Sequence, residues 1–289
     1  MSLIIGLIAR IVAAMPRPAA LWLGRFGGKV ACHVFRYRRR LLARTLTECL
    51  PEQSGSERHI IATQMYQHLG MTLVDQFRVL VNGMEDFQPL VDVHNPDLLK
   101  EATTDDKGAL LLMAHLGNWE LCGFITTMTD CPSAVVVKRF RNTAVEQFVT
   151  RSRECMQVTT LSAGASFQEC IQRLKHRGFV SMILDQNMID TEGTFVDFFG
   201  KPACTTLGLA LLSAVTGRPV YPIFTIRRPD YGYDLFIQHA IPPPPDRSAE
   251  SLHAHTQKCT KIIEGMIREH PAQWIWLHKR WRTQPPANG

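Results

Sequence analysis

The spacing of apolar positions changes along the chain, and each change marks a different kind of structure. Residues 3–15 and 19–35 are apolar runs interrupted by Pro16, Pro18 and single basic residues. Over 39–53 and 56–81 apolar side chains recur three and four positions apart, as with Ile60, Ile61, Met65, Leu69, Leu73, Val74 and Phe77. That is the period of a helix with one buried face, and Ser54 or Ser56 supplies a cap for the second of these helices. Residues 87–94 alternate as an edge strand does, and Asn95 and Pro96 end it.

From residue 109 onward short apolar runs alternate with helical segments. The runs predict strands over 109–113, 133–138, 179–184, 219–226 and 233–240. The longer period predicts helices over 118–128, 143–155, 166–176, 205–216 and 248–269. Strands separated by helices in this way make an α/β fold, a mainly parallel sheet with helices on its faces. Ligands of such sheets bind beyond the carboxyl ends of the strands. The chain has 289 residues, of which 45% are hydrophobic and 20% charged, and no low-complexity stretch divides it. One full core is therefore expected over 46–289, preceded by a helical arm over 1–45.

Charge changes the picture of that arm. The net charge is +6, and residues 1–47 contain no Asp or Glu but carry Arg10, Arg17, Arg25, Lys29, Arg36, Arg38, Arg39, Arg40 and Arg44. Neither apolar run offers the roughly 20 uninterrupted residues that a spanning helix needs. An interfacial helix pair, or one shallow tilted anchor, fits better: apolar faces enter the lipid and the arginines meet an anionic membrane surface. A cleaved signal peptide fits less well, because the basic residues follow the apolar run. A nucleic-acid partner is not expected, since apolar residues separate the arginines. Eight cysteines are scattered without a C-x-x-C pair, and they read as buried thiols in a reducing compartment.

Chemistry concentrates after the predicted strand 109–113. His115 follows it directly, and Gly117 and Asn118 permit a sharp turn into a helix whose first turn holds Glu120. A carboxylate bonded to one ring nitrogen fixes the tautomer and leaves the other nitrogen free to accept a proton from a hydroxyl. A His115–Glu120 catalytic pair is the expectation; the plain alternative is a strand-end histidine beside an ordinary first-turn glutamate. Asp185 and Gln186 end the strand 179–184, where they face the same crevice if the sheet is parallel, unless Asp185 serves only a turn. Arg151 and Arg153 follow Lys138, Arg139 and Arg141, a group suited to a phosphate or simply to a solvated helix face. His253 and His255 are expected to face solvent. The chain has no G-x-G, G-x4-G-K-[ST], G-x-S-x-G or H-E-x-x-H pattern, so dinucleotide, P-loop, serine-hydrolase and zinc-protease chemistry lose their usual support.

The segment HLGNWE has the H-x4-[DE] form of the glycerolipid acyltransferase superfamily. Together with RRRLLARTLTECLPE, VVVKRFRN, RSREC, ILDQN, GTFVDFFGKPACTTLGLALLSAVTGRPVYPIF and AQWIWLHKRWRTQP, it makes the chain resemble the bacterial lipid A biosynthesis acyltransferases of the lauroyl and myristoyl type. The resemblance covers nearly the whole chain. It implies transfer of a fatty acyl group from a thioester, on acyl carrier protein or coenzyme A, to a hydroxyl of a phosphorylated glycolipid of lipid A precursor type. The implied place is the cytoplasmic face of the inner membrane. His115 is then the base and Glu120 its orienting partner, with Asn118, Arg151, Arg153, Asp185 and Gln186 at the substrate. The family needs no metal and no cofactor beyond the thioester co-substrate. A lysophospholipid or another glycolipid acceptor is the nearest alternative, although the F-P-E-G-x-R block of glycerophosphate enzymes is lacking; a silent lipid-binding protein of the same fold is another.

Two further segments have assignments that depend on this resemblance. The loop 187–204 carries Phe195, Phe198 and Phe199 among Gly193, Gly200 and Pro202, and is expected to form a mobile apolar rim for an acyl chain or lipid surface, the plain alternative being aromatics that simply pack. The C-terminal WIWLHKRW suits a membrane interface, a basic patch for an acidic carrier protein, or a core tryptophan group with a charged edge.

Overall fold

A computed structural model describes residues 3–103, 108–129, 131–138, 140, 142–163 and 167–286. Ten α-helices are seen among them: α1 (Leu3–Ala14), α2 (Arg17–Val30), α3 (Arg39–Cys49), α4 (Gly55–Asn82), α5 (Asp97–Ala102), α6 (Ile125–Thr129), α7 (Thr143–Glu154), α8 (Phe167–Lys175), α9 (Gly208–Thr216) and α10 (Ala249–Glu269). The strands are β1 (Val91–His94), β2 (Leu110–Met113), β3 (Ser133–Val137), β4 (Val158–Ser162), β5 (Phe179–Ile183), β6 (Gly193–Phe198), β7 (Lys201–Thr206), β8 (Val220–Arg227) and β9 (Tyr233–Ile237). Seven of them form one sheet in the order β1-β9-β8-β2-β5-β3-β4, and every neighbouring pair is parallel except β8 and β9.

The central strand β2 is Leu-Leu-Leu-Met with all four residues buried, as a parallel strand covered on both faces must be. Leu110 and Leu112 face a core built with α8, α9 and α10, to which Leu174, Leu209, Leu212, Ile263 and Ile267 contribute. Leu111 and Met113 face the opposite core, with Val79 of α4, Leu98 and Leu99 of α5, and Leu121 and Met156. Helix α4 opens on a capping box, in which the Ser54 hydroxyl accepts from the Glu57 N–H while the Glu57 carboxylate accepts from the Ser54 N–H.

The arm helices α1 and α2 lie on α4. Close approach there depends on glycine: a Cβ on Gly28 would stand 2.2 Å from the Tyr66 carbonyl oxygen, and one on Gly70 would stand 2.1 Å from that of Gly24. Arg78 of α4 donates to the Ala13 and Met15 carbonyls at 3.2 and 2.8 Å, satisfying acceptors that the end of α1 leaves open. The outward faces carry Leu3, Ile4, Leu7, Ile11, Trp22 and Phe26, all exposed, Leu3 by 93% and Trp22 by 64%. Among the described residues no helix is long and apolar enough to cross a membrane.

Several expectations change in detail. The segment 118–128 is a 3-10 turn (Trp119–Phe124) leading into the short α6. The strand over 87–94 shrinks to β1, which does lie at the sheet edge. Residues 187–204 do not form an apolar rim: most of the segment is the antiparallel hairpin β6–β7, and Phe198 and Phe199 are buried. They meet the C-terminal tryptophans, with Phe198 edge-on to Trp274 at 5.7 Å and Phe199 against Trp276 at 5.6 Å. Trp274 and Trp276 are therefore core, with 1% and 0% exposure, and not a membrane belt. Arg280 beside them is buried too, donating to the Cys204 carbonyl at 2.6 Å and to the Thr205 hydroxyl. His255 is buried against Cys259, and His253 bonds to Thr194, so neither simply faces water. Of the eight cysteines seven are buried and Cys155 is exposed.

Candidate active site

His115 stands two residues beyond the end of β2, at the carboxyl edge of the sheet. Strand β5 runs parallel beside β2 with Met113 opposite Ile183, so the residues two positions further on, His115 and Asp185, come face to face. The turn after His115 requires glycine: Gly117 has φ +62°, and a Cβ there would lie 1.9 Å from the Thr225 carbonyl oxygen. Its N–H donates to the Gln273 carbonyl at 3.0 Å, and Ile275 N–H donates to the His115 carbonyl at 3.2 Å. The C-terminal segment thereby holds the turn against the sheet.

Asp185 accepts three hydrogen bonds. The His115 ring donates from Nδ1 to Oδ1 at 2.8 Å, the His115 backbone N–H donates to Oδ2 at 2.7 Å, and the Trp274 indole N–H donates to Oδ2 at 2.7 Å. Burial pushes the Asp185 carboxyl up, but the charge and bonds of His115 and the bond from Trp274 outweigh it and bring it down to about 2. Burial also disfavours the imidazolium. Asp185, with Glu120 behind it, more than reverses that effect, and the His115 pKa ends above the ordinary histidine value. An ionised partner on Nδ1 leaves Nε2 as a lone pair in the neutral ring. The His115 side chain is 21% exposed, against 2% for Asp185, so the ring opens to solvent and its partner does not.

Glu120 does not bond the His115 ring. Its carboxylate is held by Arg153 through two parallel bonds of 2.7 Å, from Nε to Oε2 and from Nη2 to Oε1, with Trp119 Nε1–H adding a third at 3.1 Å. The expected His115–Glu120 bond is thus replaced by His115–Asp185, because β5 delivers Asp185 in register while the 3-10 turn aims Glu120 at α7. Trp119 lies between, its ring set edge-on to the imidazole with centroids 5.2 Å apart. Beside Glu120 and Arg153 an apolar seam of about 20 Å³ is bounded by Met113, Cys122, Val135, Met156 and Val158.

Other residues singled out in the sequence separate clearly. Gln186 meets the ring, its Nε2 3.1 Å from His115 Nε2. Arg153 is buried against Glu120 and Arg151 is exposed, so the two arginines do not share a site. Asn118 is fully buried, donates to the Tyr233 hydroxyl at 3.2 Å and accepts from Gln76 at 3.4 Å; it supports the turn and does not reach the cavity. Arg139, Arg141 and Ser166 lie outside the described residues.

The cavity over His115 holds about 180 Å³ and is lined by Tyr37, Arg38, Gln186, Trp274, Leu277 and His278 beside the His115–Asp185 pair. Arg38 donates to the Leu277 carbonyl at 2.7 Å, and with Arg36, Arg39 and Arg40 it borders an adjoining open cleft of about 450 Å³. His278 accepts from the Asn187 N–H at 2.9 Å, and burial, with Arg280 and Arg38 close by, brings its pKa down to about 4. Trp274, His278 and Arg38 were not marked as site residues by the sequence, although all three sit in segments whose composition stands out. Among the described residues no group of three or more His, Cys, Asp and Glu side chains is arranged to hold a metal ion.

A base oriented by a buried carboxylate, open to a cavity edged by Arg38 and an adjoining arginine-lined cleft, is equipped to deprotonate a hydroxyl near an anionic group. The family profile described as bacterial lipid A biosynthesis acyltransferase matches residues 1–283. The chain belongs to that family. Among similar proteins, a lipid A biosynthesis palmitoleoyltransferase of Escherichia coli (strain K12) is 27% identical over 281 residues, 94% of this chain and 87% of that one. A lipid A biosynthesis lauroyltransferase of the same organism is 27% identical over 286 residues, 95% of this chain and 89% of its own length. A phosphatidylinositol mannoside acyltransferase of Mycobacterium tuberculosis (strain CDC 1551 / Oshkosh) is 27% identical over 190 residues, 64% of this chain and 58% of that one. This member of the lipid A biosynthesis acyltransferases thus has its H-x4-[DE] histidine paired with an aspartate from the neighbouring strand, and its glutamate paired with an arginine.

Proposed function

We propose that this acyltransferase moves a fatty acyl group from a thioester, carried by acyl carrier protein or coenzyme A, to a hydroxyl of a phosphorylated glycolipid of lipid A precursor type. The reaction is assigned to the cytoplasmic face of an anionic inner membrane. The observation that carries the proposal is the His115–Asp185 contact at 2.8 Å with Nε2 turned toward the cavity. His115 Nε2 takes the acceptor proton as the hydroxyl oxygen attacks the thioester carbonyl, and Asp185 balances the imidazolium charge. Collapse of the tetrahedral intermediate breaks the C–S bond, and the imidazolium returns the proton to the departing thiolate. The Glu120–Arg153 clamp fixes Trp119 against the ring, and Arg38 with its neighbours supplies cations for a phosphate.

The arm supports the membrane assignment, because its apolar side chains point outward while α2 is anchored through its glycines. The relation to a phosphatidylinositol mannoside acyltransferase keeps a glycosylated phosphoinositide as the second acceptor reading. Purified protein incubated with radiolabelled acyl thioester and each lipid decides between them. His115→Ala is expected to lose about 100-fold to 10,000-fold in transfer rate while remaining folded, as circular dichroism reads it. Full activity in that variant would remove His115 from the chemistry.

A further inference from the structure

The Gln186 amide occupies the position that the acceptor hydroxyl must take. With Asp185 accepting from Nδ1, only a donor can face the bare Nε2, so the contact at 3.1 Å is made by the amide N–H of Gln186. The amide caps the base. The backbone beneath the cap is pinned: Asn187 N–H donates to His278, and the Asn187 side chain exchanges two bonds of 3.0 Å with Thr283. The Gln186 side chain is exposed and free to turn on that fixed point.

Four backbone donors beside the ring are engaged. His115 N–H goes to Asp185, Gly117 N–H to Gln273, Ile275 N–H to His115 and Asn187 N–H to His278. A tetrahedral intermediate formed about 3 Å from Nε2 needs a donor for its oxyanion. The Gln186 amide, 3.1 Å from the reacting nitrogen on an exposed side chain, borders the place where that intermediate forms.

We propose that Gln186 is a catalytic residue with two successive partners. It caps His115 Nε2 before the acceptor arrives, yields to the acceptor hydroxyl, and then donates the same N–H to the thioester carbonyl oxygen. As the ester O–C bond forms, the carbonyl π pair moves onto that oxygen and is met by the amide. When the C=O bond reforms, the C–S bond breaks and the thiolate recovers the proton from His115. This step rests on the acyl-transfer function proposed above.

The cap is tested apart from catalysis by following the His115 ring by NMR in substrate-free protein. The groups that face the ring are Asp185, Glu120 and Arg153, with Arg38 and His278 across the cavity, and none of them changes in Gln186→Ala or Gln186→Met. Loss of a donor to the neutral ring moves the His115 pKa up by about half a unit to one unit. In the transfer assay both variants lose about 100-fold to 1,000-fold in kcat, the usual effect of removing one oxyanion donor. Their KM for the thioester changes little. Full kcat in either variant, or an unmoved His115 titration, overturns the proposal. If the intact protein transfers no acyl group to any lipid, the acyl-transfer function itself fails and the oxyanion role falls with it, while the titration still reports on the cap.

Discussion

At His115 the balance of burial against charge sets both the chemistry and its pH dependence. Burial disfavours the imidazolium, Asp185 favours it more, and the pKa rises. The proposed mechanism needs the neutral ring, so transfer is expected to increase as pH rises through a value above the ordinary ~6.5 of histidine. Asp185→Asn removes the raising charge, and the acid limb of a plot of kcat/KM against pH is expected to move to lower pH while the plateau falls. Stability follows the opposite branch. The raised His115 pKa contributes stability that is full below ~6.5 and is lost as pH rises through the folded value. The lowered Asp185 pKa contributes stability that is present above ~3.9 and is lost as pH falls toward about 2. Denaturant unfolding across pH, compared between the intact protein and Asp185→Asn, reads both signs.

At the level of elements, α7 is fastened to the 3-10 turn by one buried ion pair, with Glu120 12% and Arg153 6% exposed in their side chains. Removing one partner leaves a buried charge, and Glu120→Ala is expected to destabilise the fold by about 3–5 kcal/mol. Glu120→Ala combined with Arg153→Ala is expected to cost less than the sum of the two single changes, as read in urea melts. The parallel sheet, the order of its elements and the position of His115 at a strand end are all legible in the sequence, because buried strands and amphipathic helices have distinct periods. Asp185 was legible as a crevice residue but not as the partner of His115, since choosing it over Glu120 requires the β2–β5 register, which no local pattern encodes. The aromatic hairpin is hard to place for a similar reason: Phe195 next to Val196 breaks the alternation expected of a strand, the glycines and Pro202 suggest a loop, and its tryptophan partners lie some 75 residues away.

For the molecule as a whole, the arm joins an outward apolar face to the cavity over His115 through the basic run, since Arg38 lines the cavity and Arg36, Arg39 and Arg40 border the cleft beside it. Under the proposed function, a membrane partner would place the acceptor lipid's phosphate near these arginines and its hydroxyl near His115. Trp22→Asp with Phe26→Asp is expected to abolish flotation of the protein with anionic vesicles while leaving its melting temperature within a few degrees, because both side chains are exposed. Binding by the intact protein is expected to weaken as salt rises from low to physiological strength, through screening of the arginines. Unchanged flotation in the double variant would move the membrane contact away from α2.

His115→Ala, Asp185→Asn and the double variant, assayed side by side for acyl transfer from a labelled thioester to the glycolipid acceptor, decide whether the two residues act as one base. Asp185→Asn alone is expected to lose about 100-fold or more, and the double variant to be no slower than His115→Ala by itself, because a carboxylate that works only through the ring has nothing left to orient. Full activity in Asp185→Asn, or losses that multiply in the double variant, would contradict a base made of His115 and Asp185.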